Sequence, residues 1–214
     1  MNSIVDLLLG KFNIQNDKRF ELLDPKYHSQ SIMYLQKETI SAFINMHYSA
    51  KQDNINLKII SGTRDFNSQK LIWEKKFHKY KEENLSDLET IHQIMRWSAM
   101  PCTSRHHWGT DIDINGFDEY FNDKNIQANN EYKWLVRHAK KFGFVQVYSS
   151  KKTGKRLNGY NEEKWHWSYM PIAKDYLKKY KELISYSDIT GFSGSEYAKQ
   201  LDIINKYVLS ISEK

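Results

Sequence analysis

At 214 residues, 27% charged and 40% hydrophobic, the chain has the size and composition of a single globular domain with a sizeable core. No apolar run approaches the length of a membrane-spanning helix, and Leu7-Leu8-Leu9, between Asp6 and Lys11, is too short for the apolar region of an export signal. The excess of 32 basic over 26 acidic residues is spread along the chain, and no nucleic-acid-binding motif accompanies it, so a nucleic-acid partner is not expected.

In chain order, residues 1–28 carry no clear period. Ile32, Leu35, Ile40, Phe43 and Met46 approximate helical spacing and predict an amphipathic helix over 29–51. Residues 56–61 read as a short buried strand ending at the turn Gly62-Thr63-Arg64-Asp65. A helix follows from near Asn67 with Leu71, Ile72 and Phe77 inward, and Ser86 to Glu89 is a capping box that opens another. Thr110-Asp111-Ile112-Asp113-Ile114 alternates as a half-buried strand does, placing both aspartates on one face and both isoleucines on the other. Residues 131–141 read as a helix closed by Gly143, 145–148 as a strand, 151–155 as a hairpin turn, and 165–169 as a strand that stops at Pro171. A helix over 172–183 follows, and Ser193 to Glu196 predicts a last one carrying Tyr197, Leu201, Ile204 and Val208 inward. Strands and helices without regular alternation predict an α+β fold, a small antiparallel sheet flanked by helices. The whole of 1–214 is expected to form one domain, with a core over about 30–183 and a helical extension over 184–214.

The chemistry concentrates between Ser98 and Asn115. Gly109 permits a sharp bend before the central strand, so the loop with His106 and His107 folds back over Asp111 and Asp113. His106 and Asp113, joined by His166 about fifty residues on, make two imidazoles and a carboxylate. That donor set suits zinc and leaves a coordination position open for water, as a catalytic site requires. Glu163 lies three residues before His166 and faces the same centre only if it precedes the strand, where it can act as a general base. Arg64 suits a substrate carboxylate through two parallel hydrogen bonds, and Ser104 adds a hydroxyl. Trp165 and Trp167 alternate with His166 and are expected to face away from the metal side. Cys102, the single cysteine, rules out an internal disulfide and reads as a buried small residue near the metal loop, with a ligand role as the alternative. These residues read as a metal-dependent hydrolase.

Ser104-Arg105-His106-His107-Trp108-Gly109-Thr110-Asp111-Ile112-Asp113 resembles the Ser-x-His-x-x-Gly-x-x-x-Asp signature of the VanY-like zinc D-alanyl-D-alanine carboxypeptidases, whose fold is shared with hedgehog signalling domains. Glu163-Lys164-Trp165-His166 resembles their Glu-x-Trp-His signature, and Ser61-Gly62-Thr63-Arg64, followed by Gln69, resembles their upstream Ser-Gly-Tyr-Arg…Gln segment. The resemblance implies His106, Asp113 and His166 as zinc ligands, Glu163 as general base, and Arg64, Ser104 and Gln69 as substrate contacts. It implies hydrolysis of the C-terminal D-alanine bond of peptidoglycan stem peptides in the cell envelope. An L,D-carboxypeptidase or a cell-wall endopeptidase on the same zinc site, or a zinc-bearing binding module without turnover, are the alternatives. Two positions depart from the family pattern. Thr63 stands where the family has tyrosine, and Asp111 where it has a small or apolar residue. On the strand face of Asp113, Asp111 is either an acceptor for a histidine proton behind the metal or a competing ligand.

Overall fold

The computed structural model describes residues 3–153 and 156–212. Its centre is a four-stranded antiparallel sheet in the order β3 (Ile59–Ser61), β4 (Asp111–Ile114), β6 (His166–Tyr169), β5 (Phe144–Val145). A separate two-stranded ribbon pairs β1 (Phe20–Leu22) with β2 (Tyr34–Gln36). Alternation along β4 and β6 gives the sheet two unlike faces. Ile112, Ile114 and Trp167 point into a core formed with the helices Lys37–Gln52 and Ile126–His138. Asp111, Asp113, His166 and Ser168 point the other way, and all four are buried. The β4–β6 register sets Asp113 opposite His166 and Asp111 opposite Ser168, so two distant segments deliver their polar groups side by side.

A second apolar cluster packs the N-terminal helix Ile4–Leu9, the helices Phe66–Glu82, Asp87–Ile94 and Met170–Leu183, and the C-terminal segment. Gly109, at φ 70°, ends the short helical turn Arg105–Trp108 and starts β4. A Cβ there would lie 2.3 Å from the Phe20 ring, so the bend needs glycine for both its backbone angle and its close approach to the ribbon.

Several elements differ from the sequence expectation. The first long helix begins at Lys37 rather than near residue 29, because residues 34–36 are claimed by the ribbon. The next begins at Phe66, capped by the Asp65 side chain. There Trp73 and Phe77 are buried while Leu71 is 73% exposed, so the inward stripe is offset from the one read in the sequence. Strand β5 covers only Phe144–Val145, and the strand expected over 165–169 begins at His166. The hairpin turn expected over 151–155 includes Gly154 and Lys155, which lie outside the described residues.

The extension over 184–212 is not the expected helix. It is a chain of short turns, Tyr186–Asp188 and Ser195–Tyr197, and one wide π turn, Ile204–Val208. Ser193 does not cap anything. Its amide donates to the Glu74 carboxylate and its carbonyl accepts from the Trp73 indole, and Asp202 at φ 52° breaks the run beyond it. The tail then returns to the site loop, where the Ser212 amide donates to the Val147 carbonyl and Tyr207 packs on Tyr160 at 5.1 Å between ring centroids.

Candidate metal centre

His106, Asp113 and His166 converge on one buried point, each offering a ligand atom within 4.8 Å of the others. Asp113 Oδ2 lies 3.3 Å from His106 Nε2, and its Oδ1 lies 3.1 Å from His166 Nδ1. Donor atoms about 2.1 Å from a tetrahedral zinc sit about 3.4 Å from one another, and the spacings from the Asp113 oxygens to the two imidazoles are close to that value. The protonation pattern fits as well. His106 Nδ1 donates to the Gly62 carbonyl at 2.8 Å, which leaves the Nε2 lone pair facing the centre. His166 Nε2 donates to Asp111 Oδ2 at 2.9 Å, so in the neutral ring the Nδ1 lone pair faces Asp113 and the centre.

Asp111 therefore stands behind His166 rather than in the centre. Its Oδ2 also accepts from Arg105 Nε at 2.8 Å, and its Oδ1 accepts from the hydroxyls of Thr110 and Ser168, each at 2.8 Å. Arg105 Nη2 donates to Ser168 Oγ, and the guanidinium lies over the Trp108 ring. Both side chains of this ion pair are fully buried. Sequence reading passed over Arg105 and Ser168. Arg105 is adjacent to His106, but no spacing rule announces that its side chain turns back under β4.

Electrostatics follow from this packing. Burial alone would raise the aspartates, yet Arg105 and His166 hold Asp111, and the two imidazoles hold Asp113, well below the usual carboxylate range. Burial works against a charged His166, but its bonds to Asp111 and Asp113 outweigh it and carry the metal-free imidazole up to about 9. His106 is lowered, by burial first and then by Arg64. His107, brought down to about 4 by burial, is turned away and donates to the Arg64 carbonyl, so it has no part in the centre.

Glu163 lies in the turn before β6, and its Oε2 is 3.5 Å from His166 Nδ1. Burial pushes its carboxyl up to about 8. Its place is fixed by the 146–163 loop. The Glu163 amide donates to the Tyr148 carbonyl, Gln146 donates to the Glu163 carbonyl, and Arg156 donates to the carbonyls of Ser149, Asn158, Tyr160 and Asn161. Arg64 Nη1 donates to Ser61 Oγ at 2.6 Å and lies 3.7 Å from Asp113 Oδ2. Gln69 Oε1 accepts from Arg64 Nε at 3.0 Å, and its amide donates to the Ala99 carbonyl, so Gln69 both steers the arginine and ties it to the neighbouring loop.

The centre opens into a cleft lined by Arg64, Gln69, Ser104, Tyr148, Tyr160 and Glu163, together with Ile72, Lys76, Trp97, Phe117 and Trp165. Trp165, just before the strand, is buried as expected, in a small cluster with Phe121 and Ala128 rather than in the core that takes Trp167, and it also borders the cleft. Cys102 is buried, with a raised thiol pKa caused chiefly by burial, and is not among the converging donors.

Among curated proteins, the chain is 29% identical over 124 residues to a D-alanyl-D-alanine carboxypeptidase of Enterococcus faecalis, matching 58% of this chain and 44% of that protein. It is 27% identical over 161 residues to the putative carboxypeptidase YodJ of Bacillus subtilis, matching 73% and 52%. The chain thus spans about half the length of the curated relatives it matches. In fold it is similar to VanYB in complex with D-alanine-D-alanine, with a TM-score of 0.58 and 24% identity over 80% of this chain and 87% of that one. It is also similar to the LdcB LD-carboxypeptidase, with a TM-score of 0.59 and 23% identity over 78% and 74%. Residues 32–172, which carry all three sequence motifs and every donor of the centre, match the VanY D-alanyl-D-alanine carboxypeptidase model, and the chain belongs to that family.

Proposed function

We propose that the protein is a zinc-dependent carboxypeptidase that releases the C-terminal D-alanine of peptidoglycan stem peptides. The observation that carries this reading is the convergence of His106, Asp113 and His166 beside Glu163 in a cleft whose floor also holds Arg64. Family membership supplies the reaction class. The two imidazoles and the Asp113 carboxylate would hold the ion. When bound, zinc supplies a Lewis acid for the scissile carbonyl and a lowered pKa for the attacking water.

The remaining work falls to side chains. Glu163 accepts the proton of the attacking water as its oxygen bonds to the carbonyl carbon. It returns that proton to the amine nitrogen as the C–N bond breaks. The raised pKa of the metal-free carboxyl becomes useful here, because a nearby cation pulls it down toward working pH while burial keeps it a competent base. Arg64, held by Ser61 and Gln69, offers its guanidinium to the substrate's terminal carboxylate and to the negative charge that develops on the carbonyl oxygen. Ser104, buried with no capping bond of its own, adds a hydroxyl on the same side.

The test is digestion of purified stem pentapeptides and tetrapeptides, with zinc and with chelator, followed by mass spectrometry. Loss of one alanine from the pentapeptide, abolished by chelator and restored by zinc, is expected. An intact pentapeptide in the zinc-loaded sample refutes the assignment, and cleavage of the tetrapeptide alone moves it to the L,D class.

A further inference from the structure

We propose that the C-terminal segment 203–212 is part of the working site, and that Tyr207 is a positioning residue that holds the Glu163 loop against the metal centre. The inference rests on the carboxypeptidase reading and adds to it residues that lie beyond the 32–172 matching the family model. Glu163 is carried by the long connection 146–165 between β5 and β6. A connection of that length is mobile unless other parts of the chain pack on it. Bonds within it, those of Arg156 included, fix its shape. Contacts from outside decide where that shape sits over the centre.

The Asn161 amide donates to the Arg96 carbonyl at 2.9 Å, and the tail adds contacts to both arms of the loop. On the first arm the Ser212 amide donates to the Val147 carbonyl at 2.8 Å, and the Ser212 and Ser149 hydroxyls lie 2.5 Å apart. On the second, Ser210 Oγ donates to the Asn158 carbonyl at 3.2 Å, an acceptor it shares with Arg156. Gly159, at φ 86°, lies so close to the tail that a Cβ there would be 3.0 Å from the Lys206 carbonyl. Aromatic rings complete the link to the metal site. Tyr207 packs on Tyr160 at 5.1 Å between centroids, Tyr160 on Tyr148 at 4.9 Å, and Tyr148 on the His166 imidazole at 4.6 Å. Tyr160 and Tyr148 are buried and line the cleft. The Tyr148 carbonyl also accepts from the Glu163 amide at 2.9 Å, so the ring stack ends at the residue that holds the backbone of the base. Ile203, Ile204, Val208 and Ile211 anchor the tail in the apolar cluster that contains Val147, Tyr148 and Tyr160. Without the Tyr207 ring, Tyr160 loses its support and Tyr148 and Glu163 shift with it. A displacement of about 1 Å at a catalytic group costs on the order of 10²-fold in rate. The metal donors sit on the turn Arg105–Trp108, β4 and β6, and His166 stays bonded to Asp111, so the loop moves without loss of the ion.

The experiment compares zinc-loaded wild type, Tyr207→Ala, Tyr207→Phe and Phe192→Ala. Phe192 belongs to the same tail and cluster but packs on Trp73 at 5.8 Å, so its loss controls for general destabilisation. Zinc affinity, kcat and KM on a peptide ending in D-Ala-D-Ala, and amide hydrogen exchange are measured well below the Tm of each protein. Tyr207→Ala should lower kcat by roughly 10- to 100-fold with KM and zinc affinity within a few-fold, and should speed exchange at the Glu163 amide. Tyr207→Phe, which keeps the ring, should restore both, and Phe192→Ala should change neither although its Tm falls. Unchanged kcat and exchange in Tyr207→Ala, or equal losses in Phe192→Ala, overturn the proposal. If Tyr207→Ala does not fold, Ser212→Pro, which deletes the amide donated to Val147 without opening the core, is expected to change kcat and exchange in the same directions, and unchanged values overturn the proposal. If the wild type does not cleave the peptide, the carboxypeptidase reading has failed, and the exchange comparison alone decides whether the tail positions the loop.

Discussion

Asp111→Asn separates two jobs that one carboxylate performs. The native group accepts four hydrogen bonds, from Arg105, Thr110, Ser168 and His166, and none of its surface reaches solvent. Replacement by asparagine keeps the shape but strands the Arg105 guanidinium without a counter-charge, a loss of about 3–5 kcal/mol for a broken buried pair. For a chain of this size that lowers Tm by roughly 6–20 °C. The asparagine amide can also turn an N–H toward His166. That favours the tautomer protonated on Nδ1, the nitrogen facing the centre, and weakens zinc binding about 10- to 100-fold. Combining Asp111→Asn with Arg105→Met removes the stranded cation and should restore most of the Tm while leaving zinc affinity low. Scanning calorimetry and competition titration with a zinc indicator measure the two quantities independently. If the double variant recovers wild-type affinity, or the single one never loses it, Asp111 is only a counter-ion for Arg105 and the positioning argument is wrong.

Glu163→Gln should keep zinc affinity within a few-fold and reduce kcat by at least 10²-fold, measured by D-alanine release, because it removes a proton acceptor and no metal donor. The metal-free protein should lose stability as pH rises. Glu163, raised from 4.5 to about 8, contributes stability that is complete below 4.5 and lost as pH climbs through 8. His166, raised from 6.5 to about 9, loses its contribution over a higher window in the same direction. A chelated sample should therefore melt lower at pH 9 than at pH 6, by the equivalent of roughly a few kcal/mol at 1.36 kcal/mol per pKa unit. Saturating zinc should flatten the profile, and Glu163→Gln should remove the lower-pH part of the fall. Arg156→Met, which breaks four bonds to loop carbonyls, should lower kcat while leaving zinc affinity unchanged, because the loop carries Glu163 but none of the three metal donors.

The site was more legible than the architecture around it, for a physical reason. The Asp111–Ile114 alternation encodes its own two faces locally, and the cap signals at Ser86 and Gly143 are satisfied within a few residues of themselves. Those elements could be read because nothing distant competes for them. The C-terminal segment failed for the opposite reason. Its capping pattern at Ser193 is real in the sequence, but Glu74 and Trp73, about 120 residues away in sequence, take the groups that a cap would have used. Residues 34–36 likewise carry a helical period and are captured by a strand partner at 20–22. Arg105 was invisible because its importance lies in where a long side chain turns. Trp165 was read as core and is buried, but its place beside the cleft was not legible, because it depends on Trp97 and Phe117 being brought against it from other segments.

The proposed function requires one zinc ion among His106, Asp113 and His166. Crystals of the zinc-loaded protein, measured at the zinc absorption edge, test it directly. One anomalous peak is predicted, bonded to His106 Nε2, His166 Nδ1 and an Asp113 carboxylate oxygen, with Glu163 beside it and not bound. A peak held by other residues, or no peak under saturating zinc, would contradict the account.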